Sequence, residues 1–145
     1  MREIEFRGFT TEKGEQKLII KGKEYQGEWI YGYIFKAQCG AYYIVDTNND
    51  GEDGIDVRMR LVVKETVGQY IGLKDKKRTK IFEGGIVEVK NCETFVIKYQ
   101  HNEFRFIPIC NAHTFLQAHE YKESDFEVIG NIYDNKELLY MITKN

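Results

Sequence analysis

The chain has 145 residues, of which 42 % are apolar, 14 % aromatic and 30 % charged, with one proline and a formal net charge of −2. That length and apolar content suit one domain with a real core, and the balance excludes a disordered chain. Near-neutrality removes any whole-molecule attraction to nucleic acid or an anionic membrane, so such a case must rest on a local patch.

Aromatic enrichment with little alanine favours strands, and most of the chain alternates at period two. Arg2–Phe9 reads as the first strand, Thr11–Gly14 as a turn, and Lys17–Lys21 as the second strand. After a turn near Gly22 and a polar link to Gly27, the strand Trp29–Lys36 sets Trp29, Tyr31, Tyr33 and Phe35 on one face. The plain expectation is that this face is core; the functional alternative, a ligand- or base-stacking platform, needs it open. Ala41–Val45 and Ile55–Val63 follow, the latter with Arg58, Arg60 and Lys64 as a wet face and Met59, Leu61 and Val63 as a dry one.

The stretch 65–90 predicts a strand ending near Leu73, a charged turn, Ile81-Phe82, a glycine corner at Gly84-Gly85, and a half-buried strand Ile86–Lys90. Phe95–Gln100 and Phe104–Cys110, joined at His101–Glu103, form the clearest hairpin, and Pro108 marks an edge position or a bulge. Ala112–Ala118 reads as a helical turn or a crossing strand, and Phe126–Tyr133 closes the sheet. Asn135 caps a short helix Lys136–Ile142 with Leu138, Leu139 and Ile142 inward.

Few constellations carry chemistry. The loop Asp46–Gly54 matches the first half of a calcium loop, but Val57 stands where a bidentate Glu is required, so a plain hairpin loop is the expectation. Cys110 and His113, with His119 and Cys92, have a spacing zinc could use, yet only one C-x-x-H step is present and Cys110 reads more simply as a buried thiol. Three widely spaced cysteines do not make a disulfide framework. Ser124 is the only serine and has no nucleophile elbow around it. No catalytic residue, cofactor or metal is expected.

The most distinctive local charge is Lys74, Lys76, Lys77, Arg78 and Lys80, relieved only by Asp75. As a projecting turn these five cations are candidate phosphate contacts, with Tyr70 and Phe82 as candidates for base stacking. The simpler reading is a solvated turn whose lysines keep a strand edge from pairing with other chains.

Two blocks in this order carry a resemblance. Gly68-Gln69-Tyr70-Ile71-Gly72-Leu73-Lys74-Asp75 continues to Ile81-Phe82-Glu83-Gly84-Gly85-Ile86-Val87, and Glu127-Val128-Ile129-Gly130-Asn131-Ile132-Tyr133-Asp134-Asn135 is followed by Glu137-Leu138-Leu139. Both are similar to motifs of the YopX proteins of phages and prophages, with weaker echoes at Met1–Arg7 and Trp29–Tyr33. Three positions depart from the family's usual pattern: Gly85 replaces Asp, Lys77-Arg78-Thr79 replaces an Asn-Gly turn, and Lys136 replaces Pro. The resemblance implies phage origin and a small barrel of the Src-homology-3 type, and it implies no reaction.

The expected architecture is therefore all-β: a small barrel over about 65–134, an N-terminal β meander over 1–64, and a short C-terminal helix, in one domain. The expected function is a non-enzymatic phage or prophage accessory protein that binds a protein partner or itself, with nucleic-acid binding through Lys74–Lys80 as the alternative. No apolar run reaches the length of a membrane span and the N-terminus is polar from Arg2, so the expected location is the host cytoplasm.

Overall fold

Alternating strands leave unpaired N–H and C=O groups that need partners, and in the computed structural model every strand finds an antiparallel one. The structure describes residues 2–46, 58–90, 93–109 and 120–143, with side chains as far as 139. The described chain is mostly strand with one short helix, as an all-β reading requires. It divides into two compact units, Met1–Gln69 and Tyr70–Asn145.

The first unit holds β1 (Phe6–Thr10), β2 (Gln16–Ile20), β3 (Lys23–Lys36), β4 (Tyr42–Asp46) and β5 (Arg58–Val62). Strands β2 to β5 follow one another as a meander, but β1 does not extend it. Instead β1 pairs with β3 along its whole length and meets β5 at Thr10 opposite Val62. The N-terminal part is thus more than the meander expected. The supposed polar link Gly22–Gly27 is not a link either: Lys23–Gly27 is strand, paired with β2 across the tight Lys21-Gly22 turn.

Strand β3 is 14 residues long because it serves three partners in succession: β2 up to Gly27, β1 from Glu28 to Gly32, and β4 from Tyr33. Gly32 sits at the second exchange, where a Cβ would overlap the carbonyl oxygen of Val45. Only glycine lets the two backbones approach this closely. Below the strands, Thr66 is buried and its hydroxyl accepts from the Phe9 N–H at 2.9 Å while donating to the Val63 carbonyl at 2.6 Å.

In the second unit, the remainder of β6 (Gly68–Lys74) pairs with β7 (Lys80–Phe82). A four-stranded sheet follows, in the order β10 (Glu103–Pro108), β9 (Thr94–Gln100), β8 (Gly85–Val89), β11 (Phe126–Asn131). His101 and Asn102 both take positive φ at the β9–β10 turn, as a two-residue connection with the twist of a hairpin demands. Pro108 lies in the edge strand β10, where a missing N–H costs no ladder bond on the open side. Gly84 takes φ +85 at the expected corner. The core here is Ile81, Val87, Val89, Phe95, Ile97, Phe106 and Phe126.

Helix α1 (Lys136–Thr143) forms where expected, with Leu138 and Leu139 half-buried. Asn135 precedes it, and its backbone carbonyl accepts from the Leu138 N–H at 3.0 Å. Its Oδ1 accepts from the Asn131 N–H at 3.1 Å, which ties the turn to the start of the helix. The segment Ala112–Ala118 lies outside the described residues.

Candidate functional site

Two stretches have unusual chemistry, the aromatic strand β3 and the basic turn after β6, and each sits differently from its sequence expectation. In β3–β4–β5 the register sets Tyr33 opposite Val45, Phe35 opposite Tyr43, Tyr43 opposite Leu61 and Val45 opposite Met59. Residues directly opposite in an antiparallel pair project to the same side. Tyr31, Tyr33, Phe35, Tyr43, Val45, Met59 and Leu61 therefore share one face. It is open: Tyr31 is 46 % exposed, Tyr33 57 %, Phe35 49 %, Met59 52 % and Leu61 40 %, with Tyr43 and Val45 half-buried among them.

This corrects two expectations. The aromatics of β3 are not a core face, and Met59 and Leu61 are not the dry side of β5. The physical reason is that the other side of the same strands is already filled by Ile30, Ile44 and Val62, with Phe6, Ile34, Tyr42 and Val67 against them. Trp29 alone behaves as predicted, half-buried, edge-on to Phe9 at 5.6 Å and under the Arg7 guanidinium at 5.2 Å. Lys36, Asp46, Arg58 and Arg60 all fall at the opposite parity, and Arg60 stands beside buried Ile44 with its Nε covered and without a hydrogen-bond partner. Apart from Arg7 of β1, opposite Tyr31, this outer face carries no charge, and the charges of β3–β5 near it take the inner parity, which inverts the ordinary half-buried sheet. The residues the sequence reading missed are Tyr43, Val45, Met59 and Leu61, because the alternation of charge along β5 points Met59 and Leu61 inward and no local signal shows that Ile44 and Val62 fill the other side.

The basic turn is organised by the one acid inside it. Asp75 is 2 % exposed. Its Oδ1 accepts from the N–H groups of Lys77 at 2.9 Å and Thr79 at 2.8 Å, and its Oδ2 from Val128 N–H on β11 at 2.9 Å. Burial pushes the Asp75 carboxyl up, but the N–H groups of Val128, Thr79 and Lys77 and the Lys77 charge outweigh it and hold it below the usual range. The Lys76 N–H donates to the Phe126 carbonyl at 2.9 Å. Glu127 then takes both lysines, Lys76 at 2.9 Å and Lys77 at 3.2 Å. Hydrogen bonding to Lys76, then to Lys77, lowers the Glu127 carboxyl, and the Glu127 bond raises Lys76 in turn.

The five cations are thus not equivalent. Lys76 and Lys77 are exposed but share Glu127, Lys80 lies over the Tyr70 ring at 5.3 Å, and the Lys74 N–H donates to Glu123 Oε2 at 3.1 Å. Arg78 is exposed at the tip with φ +68. Tyr70 and Phe82, considered for base stacking, are 6 % and 3 % exposed and pack on each other at 5.8 Å. They are core residues, which corrects that expectation.

The two sequence blocks that carry the family resemblance therefore meet, Asp75 and its lysines on one side and Phe126–Val128 on the other. The second block continues as a self-locked turn. Asn131 Oδ1 accepts from the N–H groups of Tyr133 at 2.9 Å and Asp134 at 2.8 Å, and its Nδ2 donates to Asp134 Oδ2 at 2.9 Å. At Gly85, where the family pattern has Asp, a Cβ would lie 2.9 Å from the Phe82 carbonyl oxygen, so the backbone here is shaped for glycine.

Cys92, Cys110, His113 and His119 lie outside the described residues, as does the Asp46–Gly54 loop beyond Asp46. Among the described residues no three His, Cys, Asp or Glu side chains are grouped as a metal would need. No helix among them is long and apolar enough to cross a membrane.

No curated protein matches the chain. Among solved structures it is similar to the crystal structure of protein EF1440 from Enterococcus faecalis, at 21 % identity and a TM-score of 0.50, covering 96 % of this chain and 99 % of that one. That likeness supports the fold alone. The family described as YopX protein matches residues 5–140, a span that contains the Asp75–Val128 connection and the Asn131 turn. The chain belongs to the YopX family.

Proposed function

We propose that this YopX protein is a non-enzymatic binding module of a phage or prophage, acting in the host cytoplasm through the outer face of β3–β5. The observation that carries this is the open, charge-free set Tyr31, Tyr33, Phe35, Met59 and Leu61. At roughly half of the 150–250 Å² an aromatic side chain can bury, the three aromatics expose about 300 Å², with Met59 and Leu61 adding to it. A patch of that size is among the largest a soluble monomer ordinarily exposes, and such patches are often functional. Aromatic and Met side chains are also those enriched at the centres of protein interfaces. The small barrel of Src-homology-3 type is part of the same proposal, supported by the short antiparallel strands after Gln69.

The test is a pull-down from host cells, with and without nuclease, comparing the natural chain with Tyr33→Lys. A protein retained after nuclease and lost with Tyr33→Lys is the expected result. Material lost on nuclease treatment and indifferent to Tyr33 removes this reading and moves attention to Lys76, Lys77 and Arg78.

A further inference from the structure

We infer that the inner side of β3–β5 carries a site for a phosphate group, built from Lys36, Lys64 and Arg60 around the ring of Tyr42. The register sets Lys36 opposite Tyr42 and Tyr42 opposite Val62. Arg60 and Lys64, two positions to either side of Val62, are therefore diagonal neighbours of Tyr42. Lys36 Nζ lies 5.6 Å from the centre of the Tyr42 ring and Lys64 Nζ 5.9 Å from it, so two ammonium groups converge on one ring. That ring is half-buried against Ile30, Ile44 and Val62, and the core thus holds the platform both lysines rest on. Arg60, half-buried opposite Ile44, has its Nε covered and without a hydrogen-bond partner. Its stem is fixed, and its Nη groups are the donors it has left to offer.

No acid answers these cations. Among the described residues no ion pair joins Lys36, Lys64 or Arg60 to a carboxylate, and the nearest acid in sequence, Glu65, pairs with Lys21 at 4.0 Å. Asp46 shares the inner parity but stands opposite Arg58, four residues along β4 from Tyr42 and so about 13 Å away. The basic turn after β6 is the opposite case, since Lys76 and Lys77 are already taken by Glu127. Three like charges gathered without a counter-charge repel one another, and an anion seated among them removes that repulsion. A phosphate suits them better than a carboxylate. It brings up to two charges and at least three acceptor oxygens to three cations, and a guanidinium pairs with two of those oxygens at once.

The experiment is isothermal titration calorimetry of the full, untagged chain with sodium pyrophosphate in low-salt, divalent-free buffer. Beside it runs fluorescence anisotropy of a labelled single-stranded oligonucleotide. The natural chain is compared with two double variants, Lys36→Gln with Lys64→Gln and Lys76→Gln with Lys77→Gln, and far-UV circular dichroism confirms that both fold. Expected is saturable binding whose dissociation constant rises at least about tenfold without Lys36 and Lys64, as loss of charged hydrogen bonds does, and is unchanged without Lys76 and Lys77. Pyrophosphate bound in this way with no binding of the oligonucleotide makes the source a small phosphorylated ligand. An oligonucleotide bound with the same dependence makes it a nucleic-acid strand, and its affinity then falls steeply with salt. No saturable binding of either probe, or binding indifferent to Lys36 and Lys64, overturns the inference. Equal weakening in both double variants overturns it as well, since net charge and not this site would then be the cause.

Discussion

The face of β3–β5 and the turn 75–79 differ in how they treat unusual residues. The face collects large apolar side chains and leaves them in water, with Tyr33 57 % exposed and Phe35 49 %. The turn collects cations and ties them down, through Asp75 to Val128 and through Glu127 to Lys76 and Lys77. Judged by pattern alone each stretch looks like the other's role: four aromatics at period two suggest a core, and a basic cluster suggests a binding surface. The difference teaches that a pattern announces what a segment contains, while the use of it depends on what the rest of the chain places against it.

The comparison breaks most visibly at Asp75. Asp75→Ala leaves three buried or half-buried N–H groups without their acceptor and detaches the turn from β11, so a loss of about 3–5 kcal/mol is expected in urea unfolding. A loss under about 1 kcal/mol would mean that the turn is held by its backbone bonds alone.

Next in size is the pH response. The folded Asp75 carboxyl lies below its ordinary value of 3.8, so its contribution is full above that value and disappears as pH falls through the lower folded value. Unfolding curves should therefore lose stability below about pH 4, with a shallower dependence in Asp75→Asn, which no longer titrates. Identical acid limbs in the two proteins would assign the acid sensitivity to other carboxylates.

Glu127→Gln sharpens the comparison from the side of the lysines. Both ion pairs are at the surface, so the expected cost is small and shrinks with added salt. If the same substitution created salt-sensitive nucleic-acid binding, the neutralising role of Glu127 would be confirmed and the basic turn restored as a latent phosphate contact. Smallest of all, Tyr33→Lys should shift stability by no more than about 0.5 kcal/mol, as substitutions at open positions do, although it disables the proposed contact. A large loss would show that the face is covered within the folded chain.

Much of the fold is legible in the amino-acid order. Period-two alternation locates β1 to β5 and β8 to β11, although β3 begins six residues before the expected Trp29; the His101-Asn102 hairpin is readable from its polar turn, and Pro108 announces an edge. These features are local, since backbone geometry alone sets the period and the turn chemistry. The family blocks are legible too, but not their purpose. Asp75 and Val128 are 53 positions apart, and nothing in either block says that a carboxylate of one satisfies an N–H of the other.

The sequence by itself determined the strands, their turns, the short helix and membership of the YopX family. Tertiary structure decided which side of β3 faces water, that Tyr70 and Phe82 belong to the core, and that Lys76 and Lys77 answer to Glu127. The reason is that a strand offers two equivalent faces, and only the residues packed against one of them, here Ile44 and Val62, leave the other open.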